Sequence, residues 1–257
     1  MNSDPFFGPF LKVERADKHI RELEEIFRSH INSHVKSALS KTDEDGREKA
    51  FAALSGLLPP ATPTIIGDAI HNLRVSLDHA YWVAVRRNAG QFYRFCGFPF
   101  GKKRADIENS INGWPDASKP KQCVIDFILD DVQPFEGGGF SLYDLHRLDI
   151  TDKHDVLLPS HMSISLKGSD ALIHRRRGRG GDISVVGPPD GTATLILGQG
   201  QQLMINPFGP IEFTGDLQSA VSILFGEGPL KHRPVLQTLR NLSQSTAGVI
   251  EGISRIA

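Results

Sequence analysis

Apolar residues recur every three or four positions through FLKVERADKHIRELEEIFRSHINSHV, at Leu11, Ile20, Leu23, Ile26, Phe27 and Ile31, with charges between them. That spacing matches the turn of an α-helix and predicts an amphipathic one. In VKSALSKTDEDGREKAFAALSGL the period is ambiguous, and the acidic, glycine-bearing centre TDEDG suits the tip of a hairpin. LPPATPT interrupts regular structure, because each proline removes a backbone donor and restricts the residue before it. A long helix follows, from about Ile65 to Asn88. Next comes an irregular connection rich in Gly, Pro and Asn, with a short helix around Arg104 to Ile111. QCVIDFILDDVQPF has helical spacing up to Pro134, and SLYDLHRLDITDKHDVLL begins another helix, with Ser141 and Asp144 in capping-box spacing.

Beyond Pro159 the pattern changes. HMSISLKG, DALIHRRR, DISVVG, TATLILG and SAVSILFG are short β-rich runs separated by Gly, Pro and Asp, which predicts an antiparallel sheet over about 160–226. RPVLQTLRNLSQSTAGVIEGI returns to helical spacing and is expected to pack back on the core. The expected fold is therefore α+β: a helical N-terminal part with a long central helix, a small antiparallel sheet and a C-terminal helix. The boundary is placed at 159, between a mainly helical domain (1–159) and a β region with its terminal helix (160–257).

With 39% hydrophobic residues in 257, the chain can bury a real core. A net charge of −1 provides no global field for nucleic acid, so any such binding has to rest on local patches. No apolar run reaches bilayer length, and MNSDPFFGPFLKVERADKH lacks a basic region followed by an apolar one, so neither a membrane span nor secretion is expected. Cys96 and Cys123 are too few for a disulfide framework or a thiolate zinc site; they read as core residues in a reducing cytoplasm.

The chemistry concentrates in two helical segments. In GDAIHNLRVSLDHAYW, the residues Asp68, Asn72, Val75 and His79 share one stripe, with His71 and Asp78 on its shoulder, while Ile70, Leu73, Leu77, Ala80 and Ala84 lie opposite. Solvated helix faces ordinarily carry Lys and Glu, so this His, Asn and Asp content suggests a site. Arg74 and Asp78, four apart, read most plainly as a surface salt bridge. In YDLHRLDITDKHDVLLP, the residues His146, Asp149 and Lys153 share a stripe flanked by Asp152 and His154. Two such helices face to face would form a pocket able to share protons or cradle a phosphate. The plain alternative is an interhelical hydrogen-bond network in a non-enzymatic interaction or structural module.

IGDAIHNLRVSLDHAYW and LHRLDITDKHDVLLP, in that order, resemble the paired signature of a group of uncharacterised bacterial proteins, a likeness covering about 64–159. A second resemblance concerns mechanism. Arg74 to His79 spells Arg-x4-His and Arg147 to His154 spells Arg-x6-His, similar to the motif of the HEPN-superfamily ribonucleases. Val75 departs from that pattern, which usually has a polar residue after the arginine. The resemblance implies metal-independent RNA cleavage at a dimer interface. His79 would act as general acid or base, Arg74 would stabilise the phosphate, and His154 would complete the catalytic set. Asn72, His71, Arg147 and Lys153 would bind phosphate or substrate, while Asp68, Asp78, Asp149 and His146 would support them. RNA and a second copy of the chain are the implied partners, and no cofactor is expected. A helical-bundle metal site using His71, His79, His146 and His154 has suitable ligand types but lacks the His-x3-His spacing. The run HRRRGRGG (174–181) reads as an exposed hairpin loop, and FEGGGFS as a linker rather than an anion nest.

Overall fold

The computed structural model describes residues 4–42, 48–54, 58–89, 97–154, 160–167, 170–171, 184–186, 192–197, 213–214, 218–226 and 228–257. Side chains are described over 4–33, 58–88, 97–116, 118–139, 141–152, 222–226 and 228–257. The described residues are mostly helical, in six α-helices: α1 (Phe7–His34), α2 (Thr62–Ala89), α3 (Arg104–Asn112), α4 (Gln122–Asp126), α5 (Leu142–His154) and α6 (Val235–Ile256). None of them is long and apolar enough to cross a membrane.

The core is built by α1, α2 and α6, each of which packs against the other two. In α1 the buried Val13, Ala16, Ile20, Leu23, Phe27 and His30 follow an alternation of three and four that keeps one stripe facing inward, with buried His19 beside it. Leu11, grouped with that stripe from the sequence, is 46% exposed and lies outside the core. In α6, Val235, Leu239, Leu242, Thr246, Val249 and Ile253 repeat the alternation. Polar ties fix the pairing of the two helices. Ser243 Oγ donates to Asp17 Oδ1 at 2.6 Å, and Arg240 Nη2 donates to Glu24 Oε2 at 2.6 Å. The numbers rise on α1 as they fall on α6, so these helices run antiparallel.

Central α2 supplies Ile66, Ala69, Ile70, Leu73, Leu77, Ala80 and Ala84 to this core. Farther along, Tyr81 meets Phe98 and Trp114 edge-on, with ring centroids 6.1 and 5.9 Å apart. This aromatic cluster pins the chain that follows α2 back against it. α3 then starts with one half of a capping box, its N-cap Lys103 amide donating to Asp106 Oδ2 at 3.2 Å. The helical spacing of QCVIDFILDDV is realised as α4 followed by a π-helical stretch at Phe127–Val132, closed by left-handed Gln133 (φ 50°). The glycines of FEGGGFS form a hydrogen-bonded turn rather than a linker: the Gly138 amide donates to the Phe135 carbonyl at 2.9 Å, and Gly137 takes φ 77°. Ser141 has φ 52°, outside the extended backbone of an N-cap, so it does not cap α5 in the expected way.

Val35–Thr42 and Glu48–Leu54 pair antiparallel, with the TDEDG tip outside the described residues. Between α5 and α6 the described backbone consists of short extended stretches up to Phe225, followed by a turn over 228–233. Of these, Ser160–Lys167 lies antiparallel to Gln218–Phe225, Ser160 opposite Phe225 and Lys167 opposite Gln218. That pairing enters the core through the buried Ile223, Leu224 and Phe225. The basic run 174–181 and Cys96 lie outside the described residues. Cys123 is exposed, not a core residue, and its Sγ lies 3.4 Å from the Ile256 carbonyl oxygen.

Candidate functional site

The two polar segments lie on α2 and α5, and these helices pack together through a seam of named pairs. Gly67 takes the Asp152 carboxylate against its backbone, so closely that a Cβ at Gly67 would overlap it. His71 Nδ1–H donates to Asp149 Oδ1 at 2.9 Å. Arg74 Nε–H donates to His146 Nδ1 at 3.3 Å. Numbers rise along α2 as they fall along α5, so the helices run antiparallel. The contacting stripe on α2 is Gly67, His71 and Arg74, spaced four and three as one helix face requires, and Asp78, four residues further on, extends that face and holds Arg74.

This differs from the stripe expected from angle alone. Asp68 is exposed, and its backbone carbonyl accepts a 2.8 Å bond from Asn72 Nδ2, so Asn72 is engaged with its own helix. His79 is half-buried on a different azimuth from Arg74, and the guanidinium turns to His146 rather than to it. On α5 the α2-facing residues are His146, Asp149 and Asp152. Arg147 is exposed, its carbonyl accepting from Thr151 Oγ1 at 3.0 Å. Lys153 and His154 belong to α5, but their side chains lie outside the described residues.

The Arg74–Asp78 pair is not a surface salt bridge. The side chains are only 12% and 16% exposed, and the two groups are in direct contact. Asp78 Oδ1 also accepts the Phe98 amide at 2.7 Å, and a Cβ on Gly97 would approach the same oxygen to 3.0 Å. Phe100 then covers the seam. The Arg74 guanidinium carbon lies 4.3 Å from the Phe100 ring centroid, and the His146 ring stacks on Phe100 at 4.6 Å with planes 7° apart. Sequence reading passed over Gly67, Phe98 and Phe100. The signal for Gly67 was its place in the four-three-four register. For the two phenylalanines, the signal was an aromatic pair in CGFPF inside an otherwise irregular connection.

His71 and Asp149 differ from the rest of the seam in exposure. The Asp149 side chain is 8% exposed and the His71 side chain 46%. A buried carboxylate behind an accessible imidazole fixes its tautomer and leaves the Nε2 lone pair on the far side of the ring. Such a pair can accept a proton from a bound hydroxyl and return it. In the first turn of α5, Asp144 has a carboxyl pushed above its ordinary value, chiefly by burial and further by Glu136, against the opposing charges of Arg147 and Arg233. No group of three or more His, Cys, Asp or Glu side chains among the described residues is arranged to hold a metal ion. No family model, curated protein or solved structure matches this chain significantly.

Proposed function

We propose that the open edge of the α2–α5 seam is a metal-independent acid–base site acting on a phosphate ester, with RNA as the substrate class that the HEPN resemblance suggests. The observation that carries this reading is the His71–Asp149 pair, a half-exposed imidazole held at 2.9 Å by a buried carboxylate. The proton-transfer role moves from His79 to His71, because His71 has a carboxylate to orient it. In this reaction His71 Nε2 takes the proton of a ribose 2′-hydroxyl as that oxygen attacks the adjacent phosphorus. The bond to the 5′-oxygen breaks, and that oxygen takes a proton from water, leaving a cyclic phosphate and a 5′-hydroxyl. Arg74, one turn along α2, is the seam cation among the described residues for the charge on the phosphate. The same proposal takes a second copy of the chain as a partner, the cytoplasm as the compartment, and residues 160–226 as a small antiparallel sheet carried on the helices.

The test is incubation with a mixed RNA ladder in EDTA, comparing the wild type with His71→Gln, Asp149→Asn and His79→Ala. Cleavage that survives EDTA, disappears in His71→Gln, drops by about 100-fold in Asp149→Asn and persists in His79→Ala supports the proposal. Cleavage lost only in His79→Ala returns the chemistry to the Arg-x4-His motif.

A second reading rests on Arg74. Its guanidinium is almost enclosed, with Asp78, His146 and Phe100 around it. Those are the marks of an interhelical network in a non-enzymatic module. Under that reading no RNA is cleaved, and the seam variants melt earlier than the wild type.

A further inference from the structure

An arginine is always a donor, since its guanidinium carries N–H bonds and no acceptor and does not lose its charge in proteins. The 3.3 Å bond from Arg74 Nε to His146 Nδ1 therefore requires that Nδ1 carry no proton. His146 must be a neutral imidazole with its hydrogen on Nε2. A protonated His146 would turn an N–H toward another N–H and set two cations side by side. The geometry points to His146 as an acid-sensitive latch on Arg74. When neutral, it holds the guanidinium against Asp78 beneath Phe100. When protonated, it repels the guanidinium and frees Arg74 toward the His71 edge.

Among the described residues, Arg74 of α2 lies against His146 with Asp78 paired to the guanidinium, and on the imidazole's own helix Tyr143 and Asp149 stand three residues to either side. The Tyr143 ring centroid lies 6.4 Å away. The stretch after α2 contributes the uncharged rings of Phe98 and Phe100, with Phe100 stacked on the imidazole. The guanidinium, hydrogen-bonded to Nδ1, opposes protonation, and Asp78 is already occupied by Arg74 and the Phe98 amide. Latch and backbone are thus connected: releasing Arg74 loosens Asp78, and with it the bond to Phe98.

The use of the latch rests on the acid–base reading above, but the latch itself is measured without substrate. Imidazole nitrogen NMR on the full-length protein should show His146 as the Nε2–H tautomer at neutral pH. Its titration midpoint should lie at least about one pH unit below the roughly 6.5 of an unperturbed histidine. The protection of the Phe98 amide against hydrogen exchange, corrected for intrinsic rate, should fall by about ten-fold through the same titration. His146→Gln, which keeps an acceptor for Arg74 and does not titrate, should abolish that fall. An Nδ1–H tautomer, an ordinary midpoint, or an equal loss of protection in His146→Gln overturns the latch. If His146→Gln does not fold, the wild-type tautomer and midpoint decide alone. A chain that cleaves no RNA but passes these tests refutes the acid–base reading and leaves the latch standing.

Discussion

Central helix α2 has two faces, and they are held by opposite kinds of interaction. Toward α1 and α6 it buries Ile66, Ile70, Leu73 and Leu77 completely, and any well-packed apolar partner would do. Toward α5 it presents Gly67, His71 and Arg74, each meeting a particular group there, with Asp78 holding Arg74 from the same helix. The apolar face supplies most of the stability, because area removed from water adds without regard to direction. The polar face gains little net energy from each bond but loses heavily when a partner is removed. It therefore sets register and chemistry rather than the bulk of the stability.

The largest effect expected from breaking this contrast is on the apolar side. Leu73→Ala should cost about 3–5 kcal/mol in urea unfolding, because the site is fully enclosed and leaves a cavity. A loss below about 1 kcal/mol would mean that the α1–α2–α6 core is not tightly packed. On the polar side Asp78→Ala should cost roughly 3 kcal/mol, since it leaves the enclosed Arg74 charge without its carboxylate and the Phe98 amide without its acceptor. If Asp78→Ala and Arg74→Ala together cost no more than either alone, the two act as one unit.

Gly67→Ala should cost about 1–3 kcal/mol, because the added methyl overlaps the Asp152 carboxylate. Combining it with Asp152→Ala should cost less than the sum of the two single losses, whereas simple additivity would show that the helices do not meet there. The smallest effect is at Asp144. Its carboxyl titrates above the unfolded value, so the folded state binds the proton more tightly, and ionisation above the folded pKa is a penalty on folding. Asp144→Asn should therefore raise the melting temperature modestly at pH 7. The gain should shrink as the pH falls toward 3.8, the ordinary aspartate value, where the wild type is also protonated.

The helices and their apolar stripes were legible because burial repeats at the helical period, and that period is local. Ile70, Leu73, Leu77, Ala80 and Ala84 were placed on the core side of α2 from spacing alone, and they are buried. The polar stripe was read less well. Angle grouped Asp68, Asn72 and His79, but a partner helix chooses its contacts by approach, and α5 approaches over His71 and Arg74. Arg74 and Asp78 read as a surface pair because four-residue spacing says nothing about what covers them, and Phe100 comes from beyond the end of the helix. The exposure of Cys123 and the left-handed backbone of Ser141 likewise depend on neighbours distant in sequence or on the turn itself.

By itself, then, the sequence determined where helices form, which of their faces are apolar, and that two segments carry histidine and aspartate in unusual density. Those properties follow from backbone periodicity and side-chain solvation, which act over a few residues. Only the tertiary structure decided that the two segments meet antiparallel, that His71 rather than His79 has a carboxylate behind it, and that Arg74 is enclosed. Hydrogen bonds and ion pairs act over about 3 Å, and groups 72 or 78 residues apart in the chain come within that distance only once the core has set the helices side by side.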